Sequence, residues 1–189
     1  MSAILLTPPA QEPLSLADAK AFLRVTHDDD DGVITSLIAA ARGHVEAQAR
    51  CLMINQTWRY VCDVWPESGR IVPRMGPLQS LVAARVYDAN GESRLLDKEL
   101  FVVDRGAGAV SAPMWSLPQP GRAHGGVELD LLFGFGEAAA TVPEMLCHAV
   151  RMLVAHWYDN RGLIAIGQSV AMMPSTVTAL IGSYRVRSL

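Results

Sequence analysis

The sequence lacks several features that would place it in a common functional class. Although 50% of its residues are hydrophobic, no stretch approaches the roughly 18 to 20 consecutive apolar residues that a membrane-spanning helix requires. Its first residues show no basic segment followed by an apolar one, which is the pattern of a secretory signal. These absences predict a soluble, intracellular protein with no membrane partner.

Cysteine is scarce, and basic residues do not dominate the charge. Cys51, Cys62 and Cys147 are far apart and show no C-x-x-C spacing, so we expect reduced, buried side chains in place of a zinc or redox site. The net charge is −3, and no cluster combines basic with aromatic residues. This composition argues against wrapping or specific binding of nucleic acid.

Convergent catalytic groups are also missing. His148 and His156 lie just over two helical turns apart, which is too far for them to share a metal ion directly. The aspartates at 28–31 lack the ligand order of a calcium loop, so we interpret them as a solvated helix start. The glycines of 134–136 lack the third glycine of a dinucleotide fingerprint. We therefore predict no enzyme activity, no cofactor and no metal.

Helical periodicity is present in the first quarter of the chain. Ser15 is a suitable N-cap for a short helix that runs through Leu23. The aspartate run then introduces a second helix, whose apolar residues recur at helical spacing from Val33 to Val45 and which ends near Ala49.

The last quarter of the chain has the same helical character. Pro143 fits the first turn of a third helix, since its missing N–H would have no partner there, and the conformational freedom of Gly162 predicts the end of that helix. A short final helix is predicted after Met173. The tail from Tyr184 to Arg187 alternates in a way that suits an added strand or an extended arm.

Between these ends the apolar period changes to two. Trp58, Tyr60, Cys62 and Val64 fall on one face of a half-buried strand. Turns rich in glycine separate the strands and favour an antiparallel sheet, because parallel strands would need crossover helices. The further strands are predicted at 81–87, 100–103 and 127–133, with a loop at 113–126.

These patterns predict an α+β fold. A helical frame is built from both chain ends, a small antiparallel β-sheet domain is inserted into it, and the C-terminal arm is extended. We divide the chain into an N-terminal helical part (1–53), an antiparallel β part (54–140) and C-terminal helices with the arm (141–189), all within one compact unit.

Residues 162–173 combine glycines with apolar side chains and carry no charge. Segments of this kind commonly pair with a neighbour's sheet edge or groove. A loop folded back onto its own domain is the alternative interpretation. The subunit-interface residues predicted on the first interpretation are Ile164, Ile166, Val170, Met172 and Met173.

At both ends the residues resemble those of a known family. Residues 13–25, the acidic link 28–31, residues 34–46 followed by Gln56-Thr57-Trp58, and then residues 142–161 and 174–187 are similar to phage head-tail connector (adaptor) proteins, as found in long-tailed phages and gene transfer agents. One departure is Gln48-Ala49, where the family pattern has a Thr-Gly pair that ends the second helix.

The resemblance implies a structural role in a particle neck. It implies a ring, of twelve copies in the particle, between a portal protein and a stopper or tail component, with a channel that DNA passes without specific binding. It implies assembly in the host cytoplasm and a C-terminal arm that reaches the portal. We predict Tyr184, Arg185 and Arg187 as the docking residues, because arginine forks suit carboxylates on a partner.

Two other functions are compatible with the sequence. The chain could be a monomeric intracellular protein-binding module, which would show no tendency to form rings. It could also be an enzyme whose site has no recognisable motif.

Overall fold

The computed structural model describes residues 2–160 and 173–186, which form two compact units. The sheet unit contains residues 2–9 and 55–135. The helical unit contains residues 10–54, 136–160 and 173–186. The predicted mixed α+β class is confirmed, with four helices and small antiparallel sheets.

The sheet unit has eight strands in two sheets. A five-stranded sheet has the order β1-β2-β8-β4-β5, and a three-stranded sheet has the order β3-β7-β6. Every pairing between these strands is antiparallel. The strands are β1 (Ser2–Thr7), β2 (Gln56–Cys62), β3 (Arg70–Ile71), β4 (Leu78–Tyr87), β5 (Ser93–Leu96), β6 (Val102–Asp104), β7 (Ala109–Ser111) and β8 (Val127–Phe133).

The five-stranded sheet has two chemically different faces. Alternate residues of β8 point to opposite faces, and directly paired residues of neighbouring strands share a face. One face, which we call the apolar face, is buried and contains Tyr60, Cys62, Leu81, Ala84, Val86, Leu96, Val127, Leu129, Leu131 and Phe133. The other, the polar face, contains Arg59, Arg85, Glu128 and Asp130.

Residues 2–9 differ from the sequence-based division. That division placed residues 1–53 in a helical part, whereas β1 pairs with β2 and lies in the sheet unit. The strand expected at 100–103 begins at Val102, because a single 3-10 turn at Lys98–Leu100 precedes it. The Asp97 side chain caps that turn by accepting a hydrogen bond from the Glu99 N–H at 3.0 Å.

The helical unit contains α1 (Leu16–Leu23), α2 (Asp31–Ala49), α3 (Glu144–Asp159) and α4 (Ser175–Gly182). Of the apolar residues that recur along α2, Ile34, Ile38, Ala41 and Val45 are buried, Leu37 is partly buried and Val33 is exposed. Among residues 2–160 and 173–186, no helix is both long and apolar enough to cross a membrane. The buried residues of these helices are Ala19 on α1, Ile34, Ile38, Ala41, Val45, Glu46 and Ala49 on α2, Leu146, Cys147, Ala149, Val150, Leu153 and Val154 on α3, and Val177 and Ile181 on α4.

Some helix ends match the sequence-based prediction and others differ from it. Ser15 caps α1 as predicted, with its Oγ accepting a hydrogen bond from the Asp18 N–H at 3.0 Å. Asp30 is the N-cap of α2, but its side chain makes no cap hydrogen bond. Helix α2 ends at Ala49 without the family's Thr-Gly pair, because Arg50 itself adopts the left-handed conformation with φ of 53°.

Candidate assembly surfaces

The aspartate run forms ion pairs and a hydrogen bond within the helical unit. The Nζ atom of Lys20, on α1, is 2.6 Å from Oδ1 of both Asp28 and Asp31. Hydrogen bonds to these two carboxylates raise the pKa of Lys20. Asp30 accepts a hydrogen bond from the hydroxyl of Tyr158, on α3. The run therefore links the start of α2 to its two neighbouring helices.

Two histidines of the helical unit pack against aromatic rings. The rings of His148 and Phe22 meet edge to face, with 6.4 Å between their centroids. His44 meets Trp157 in the same way at 5.7 Å. Within residues 2–160 and 173–186, no group of three or more His, Cys, Asp or Glu side chains is arranged to hold a metal ion.

All three cysteines are free and buried. Burial, together with the nearby Glu46 carboxylate, raises the pKa of the Cys51 thiol to about 12. Burial likewise raises the pKa of Cys62 and of Cys147. Since the thiolate is the nucleophilic form, these thiols are protonated and unreactive at neutral pH.

A buried carboxylate organises the end of α2. Glu46 is 5% exposed, and its two oxygens accept hydrogen bonds from the Met53 N–H at 2.8 Å and from Arg42 Nη1 at 2.7 Å. Arg42 also donates to Glu12 at 2.7 Å. The network connects the segment before α1, at Glu12, with the segment after α2, at Met53. It therefore stabilises the fold and leaves no open site for a ligand.

The polar face of the sheet carries a dense ion-pair network. Asp130 accepts hydrogen bonds from Arg59 Nε at 2.7 Å and from Arg85 Nη1 at 2.6 Å. Arg59 also pairs with Glu128, with 3.2 Å between Nη1 and Oε2. Burial alone would raise the pKa of Asp130, but the hydrogen bonds from Arg59 and Arg85 outweigh it and the pKa lies below its ordinary value.

One end of this face is closed by the long loop predicted at 113–126. The guanidinium carbon of Arg122 lies 3.8 Å from the centroid of the Tyr87 ring, a cation–π contact. Arg122 Nε also donates to the carbonyl of Gly125 at 2.8 Å. The Gly125 N–H in turn donates to Asp63 at 2.7 Å. The loop is therefore attached to the sheet through charged side chains.

Exposed apolar side chains border the five-stranded sheet. On the edge strand β1, Ile4 is 51% exposed, and Leu5 and Leu6 are each more than 40% exposed. On the opposite edge strand, Leu95 is 66% exposed. The sequence patterns did not single out this segment as a surface. The available signal was an apolar run without any charge immediately before Pro8-Pro9.

Trp115 is a second exposed feature that the sequence analysis did not select. It lies in the single 3-10 turn Met114–Ser116 and is 89% exposed. Tryptophan is enriched among the residues that dominate binding at protein interfaces. Its position in a loop rich in proline and glycine was the signal that it could be left on the surface.

The predicted interface and docking residues are only partly within the described chain. Met173 is partly exposed, and Ile164, Ile166, Val170 and Met172 lie outside the described residues. Tyr184 is half-buried and Arg185 is exposed, whereas Arg187 lies outside the described residues.

The described start of the tail is attached to α2. The Val186 N–H donates to the carbonyl of Ala49 at 2.9 Å. That carbonyl belongs to the last turn of α2, where helical carbonyls have no partner inside the helix. The backbone at Val186 is therefore held at the C-terminal end of α2.

Comparison with known proteins supplies independent findings. Residues 13–89 match the family described as phage gp6-like head-tail connector protein. No curated protein matches the chain.

Three solved structures resemble the chain over nearly its whole length, each at 25% sequence identity. A chain in the neck of an empty GTA particle, computed with C6 symmetry, aligns with a TM-score of 0.83 over 100% of this chain and 97% of that one. A chain in the virion of a native gene transfer agent (GTA) particle gives 0.82 with the same coverage. A chain in the neck of a native GTA particle, computed with C12 symmetry, gives 0.75 over 98% and 97%.

Proposed function

We propose that this chain, a head-tail connector protein of the phage gp6-like kind, forms one segment of a ring in the neck of a phage or gene transfer agent particle. The observation that carries the proposal is the full-length likeness to the neck chains, which extends the family match beyond residues 13–89. Connectors of this family are structural proteins, so the function lies in the surfaces that the chain presents.

A ring sets a geometric requirement on those surfaces. Each subunit must present one flank that fits the opposite flank of the next copy, which is a heterologous interface closed by rotation. We propose twelve copies, in keeping with the C12 symmetry of the similar neck. Residues 162–173, with Ile164, Ile166, Val170, Met172 and Met173, are proposed to contribute to this contact.

The charge of the chain suits a channel that DNA passes without being held. At −3 for each copy, twelve copies total roughly −36, and a wall of that sign repels the phosphate backbone. We propose that DNA slides through the ring, and that the subunits assemble in the host cytoplasm before the neck is complete.

The portal is the proposed partner on one side of the ring, and a stopper or tail component on the other. Tyr184, Arg185 and Arg187 are proposed to dock to the portal. The exposure of Arg185 and the attachment of Val186 to Ala49 support this role, since the backbone is held while an arginine stays open to a partner carboxylate.

The test is binding of the purified chain to portal rings of the same particle. The double variant Arg185→Glu, Arg187→Glu reverses two charges while keeping the backbone that reaches α2. We expect it to weaken portal binding roughly tenfold or more, because each arginine would lose a charge-assisted contact. Deletion of residues 182–189 should abolish binding while the fold remains intact, as circular dichroism will verify.

Arg70→Glu is the matched control, because Arg70 is an exposed arginine of the sheet unit. It should bind the portal as the unmodified chain does. Equal binding by the double variant and the control would refute the docking assignment. Failure of the unmodified chain to bind the portal in any form would refute the connector function itself.

A further inference from the structure

The two edge strands of the five-stranded sheet, β1 and β5, differ in length and in exposure. An edge strand presents unpaired N–H and C=O groups, and proteins usually protect it with charged residues, proline or very short length. Strand β1 has six residues, all exposed, and none is charged or proline. Strand β5, at the other edge, has four residues, of which the first three are exposed.

The two edges also present the same chemistry on the same face. Ile4 pairs with Arg59, which pairs with Asp130, so Ile4 lies at one margin of the polar face. Leu95 pairs with Arg85, which pairs with Glu128.

Leu95 therefore lies at the opposite margin of that polar face. The ion-pair network occupies the middle of the face, and an exposed apolar side chain ends it on each side. Joining the two edges would bring these two apolar side chains together.

Strand direction fixes how the edges of two copies can meet. Each neighbouring pair in the order β1-β2-β8-β4-β5 is antiparallel, so β1 and β5 run in the same direction. A twelvefold rotation, as in the similar neck, turns a direction by at most about 30°. In such a ring, β1 of one copy therefore meets β5 of the next copy in a parallel arrangement.

We propose that β1 of each copy pairs in parallel with β5 of the next copy, so that the five-stranded sheets join edge to edge around the ring. In this pairing Ile4 contacts Leu95 of the partner subunit on the polar face. The inference rests on the proposed function and names the contact that closes the ring. It adds a strand to a sheet edge by main-chain hydrogen bonds, with side chains supplying specificity.

A second copy of this chain is favoured over a strand from another protein at the β1 edge, because it would cover more of the exposed sheet edges. A foreign strand on β1 would leave the β5 edge and Leu95 uncovered, whereas a repeated contact between copies covers both edges of every subunit. Charge does not oppose the pairing, because β1 has no charged residue and β5 has the single cation Arg94.

The dimensions are compatible with a channel. Twelve sheets of five strands each, at a strand spacing of about 4.8 Å and with strands along the ring axis, give a wall with a mean radius of about 45 Å. A wall of this radius is wider than a DNA duplex, so the joined sheets do not obstruct passage.

The first test places a charge at each margin in turn. Ile4→Lys and Leu95→Lys are assembled with portal rings of the same particle, and complete connector rings are counted by electron microscopy. We expect roughly tenfold fewer rings for each variant, because edge lysines oppose strand pairing. The double variant Ile4→Lys, Leu95→Glu should restore rings to within about threefold, since it places opposite charges across the joint.

Val102→Lys is the matched control. Val102 is 65% exposed, compared with 66% for Leu95. It lies on an edge strand of the three-stranded sheet. This variant should form rings as the unmodified chain does. Thermal melting of each variant will show that the monomers are folded, so that a loss of rings reports on assembly.

The second test joins the edges covalently. In the variant Ile4→Cys, Leu95→Cys, a short bis-maleimide should convert assembled rings into a ladder of multimers. The background is low because Cys51, Cys62 and Cys147 are buried. Rings that yield no ladder, or normal ring counts for both single lysine variants, overturn the edge-to-edge joint while the connector function stands. Absence of rings from the unmodified chain overturns both.

Discussion

At the scale of single residues, Asp130 joins the two arginines of the polar-face network. Its side chain is 6% exposed and accepts hydrogen bonds from both Arg59 and Arg85. Without the carboxylate, two half-buried guanidinium groups would face each other beside Glu128. A buried pair that loses one partner is strongly destabilised, because the remaining charge keeps its desolvation cost.

We therefore expect Asp130→Asn to lower the free energy of unfolding by about 2 to 4 kcal/mol. Urea denaturation followed by circular dichroism measures the change. Asp29→Asn is the control, because the Asp29 side chain is 95% exposed, and its effect should stay within about 0.5 kcal/mol. A loss for Asp130→Asn no larger than that of the control would contradict the role given to the network.

The same residue predicts a pH dependence with a definite sign. The pKa of Asp130 is lower in the folded chain than in the unfolded chain. The carboxylate therefore contributes its full stabilisation above the ordinary pKa of aspartate, and loses it as the pH falls below about 4. The stability difference between the unmodified chain and Asp130→Asn should shrink across that acidic range. A difference that stayed constant down to the folded-state pKa would be evidence against this linkage.

At the scale of elements, the start of α1 depends on a local side-chain hydrogen bond. Ser15 Oγ accepts from the Asp18 N–H, one of the helix donors that have no partner inside the helix. We expect Ser15→Ala to lower the free energy of unfolding by about 1 kcal/mol.

Ser36→Ala is the control for this prediction. Ser36 lies inside α2, where its hydroxyl donates back to the Gly32 carbonyl at 2.8 Å. The Gly32 carbonyl already serves as an acceptor for the backbone of the helix. Loss of the hydrogen bond from the Ser36 hydroxyl should therefore change the free energy of unfolding by less than about 0.5 kcal/mol. Thermal and urea melts of both variants compare them directly, and equal losses would show that the cap adds nothing specific.

A helix or strand could be predicted from the sequence where the residues that define it are close together in the chain. The N-cap Ser15 and the apolar spacing from Ile34 to Val45 lie within the helices that they define, so α1 and α2 were placed close to their observed ends. Strands β3, β5 and β7 were missed because two to four residues are too few to show a period of two. Strand β1 forms by pairing with β2, about fifty residues away in sequence, and no local pattern contains that partner.

At the scale of the whole molecule, net charge bears on the proposed passage of DNA through the ring. A protein that binds DNA without sequence preference does so by neutralising phosphates with a basic surface, and its binding weakens steeply with salt. This chain is acidic overall, with 16 basic against 19 acidic residues.

We expect the assembled rings to retain no duplex DNA in a mobility-shift assay at a physiological salt concentration of about 0.15 M. Rings of the double variant Asp29→Lys, Glu67→Lys provide a comparison, because both side chains are exposed and the two changes together raise the net charge of each copy by four. Retention by the unmodified rings that falls steeply with added salt would contradict a repelling channel wall.

The resemblance to head-tail connectors could be seen in residues at the two chain ends, and the family match over residues 13–89 and the similar neck structures confirm that resemblance. The proposed docking role of Tyr184, Arg185 and Arg187 stays a prediction. The polar-face network could not be predicted from the sequence. Arg59, Arg85 and Asp130 are separated by dozens of residues and meet only when β2, β4 and β8 pair.

By itself the sequence determined the helices, the absence of catalytic motifs and the likeness to connectors, because periodicity, caps and residue types are properties of neighbouring positions. Only the tertiary structure decided that Ile4 and Leu95 stand at opposite margins of one face. The physical reason is that strand order and register arise from pairing between distant segments, and those two properties decide which side chains remain uncovered at an edge.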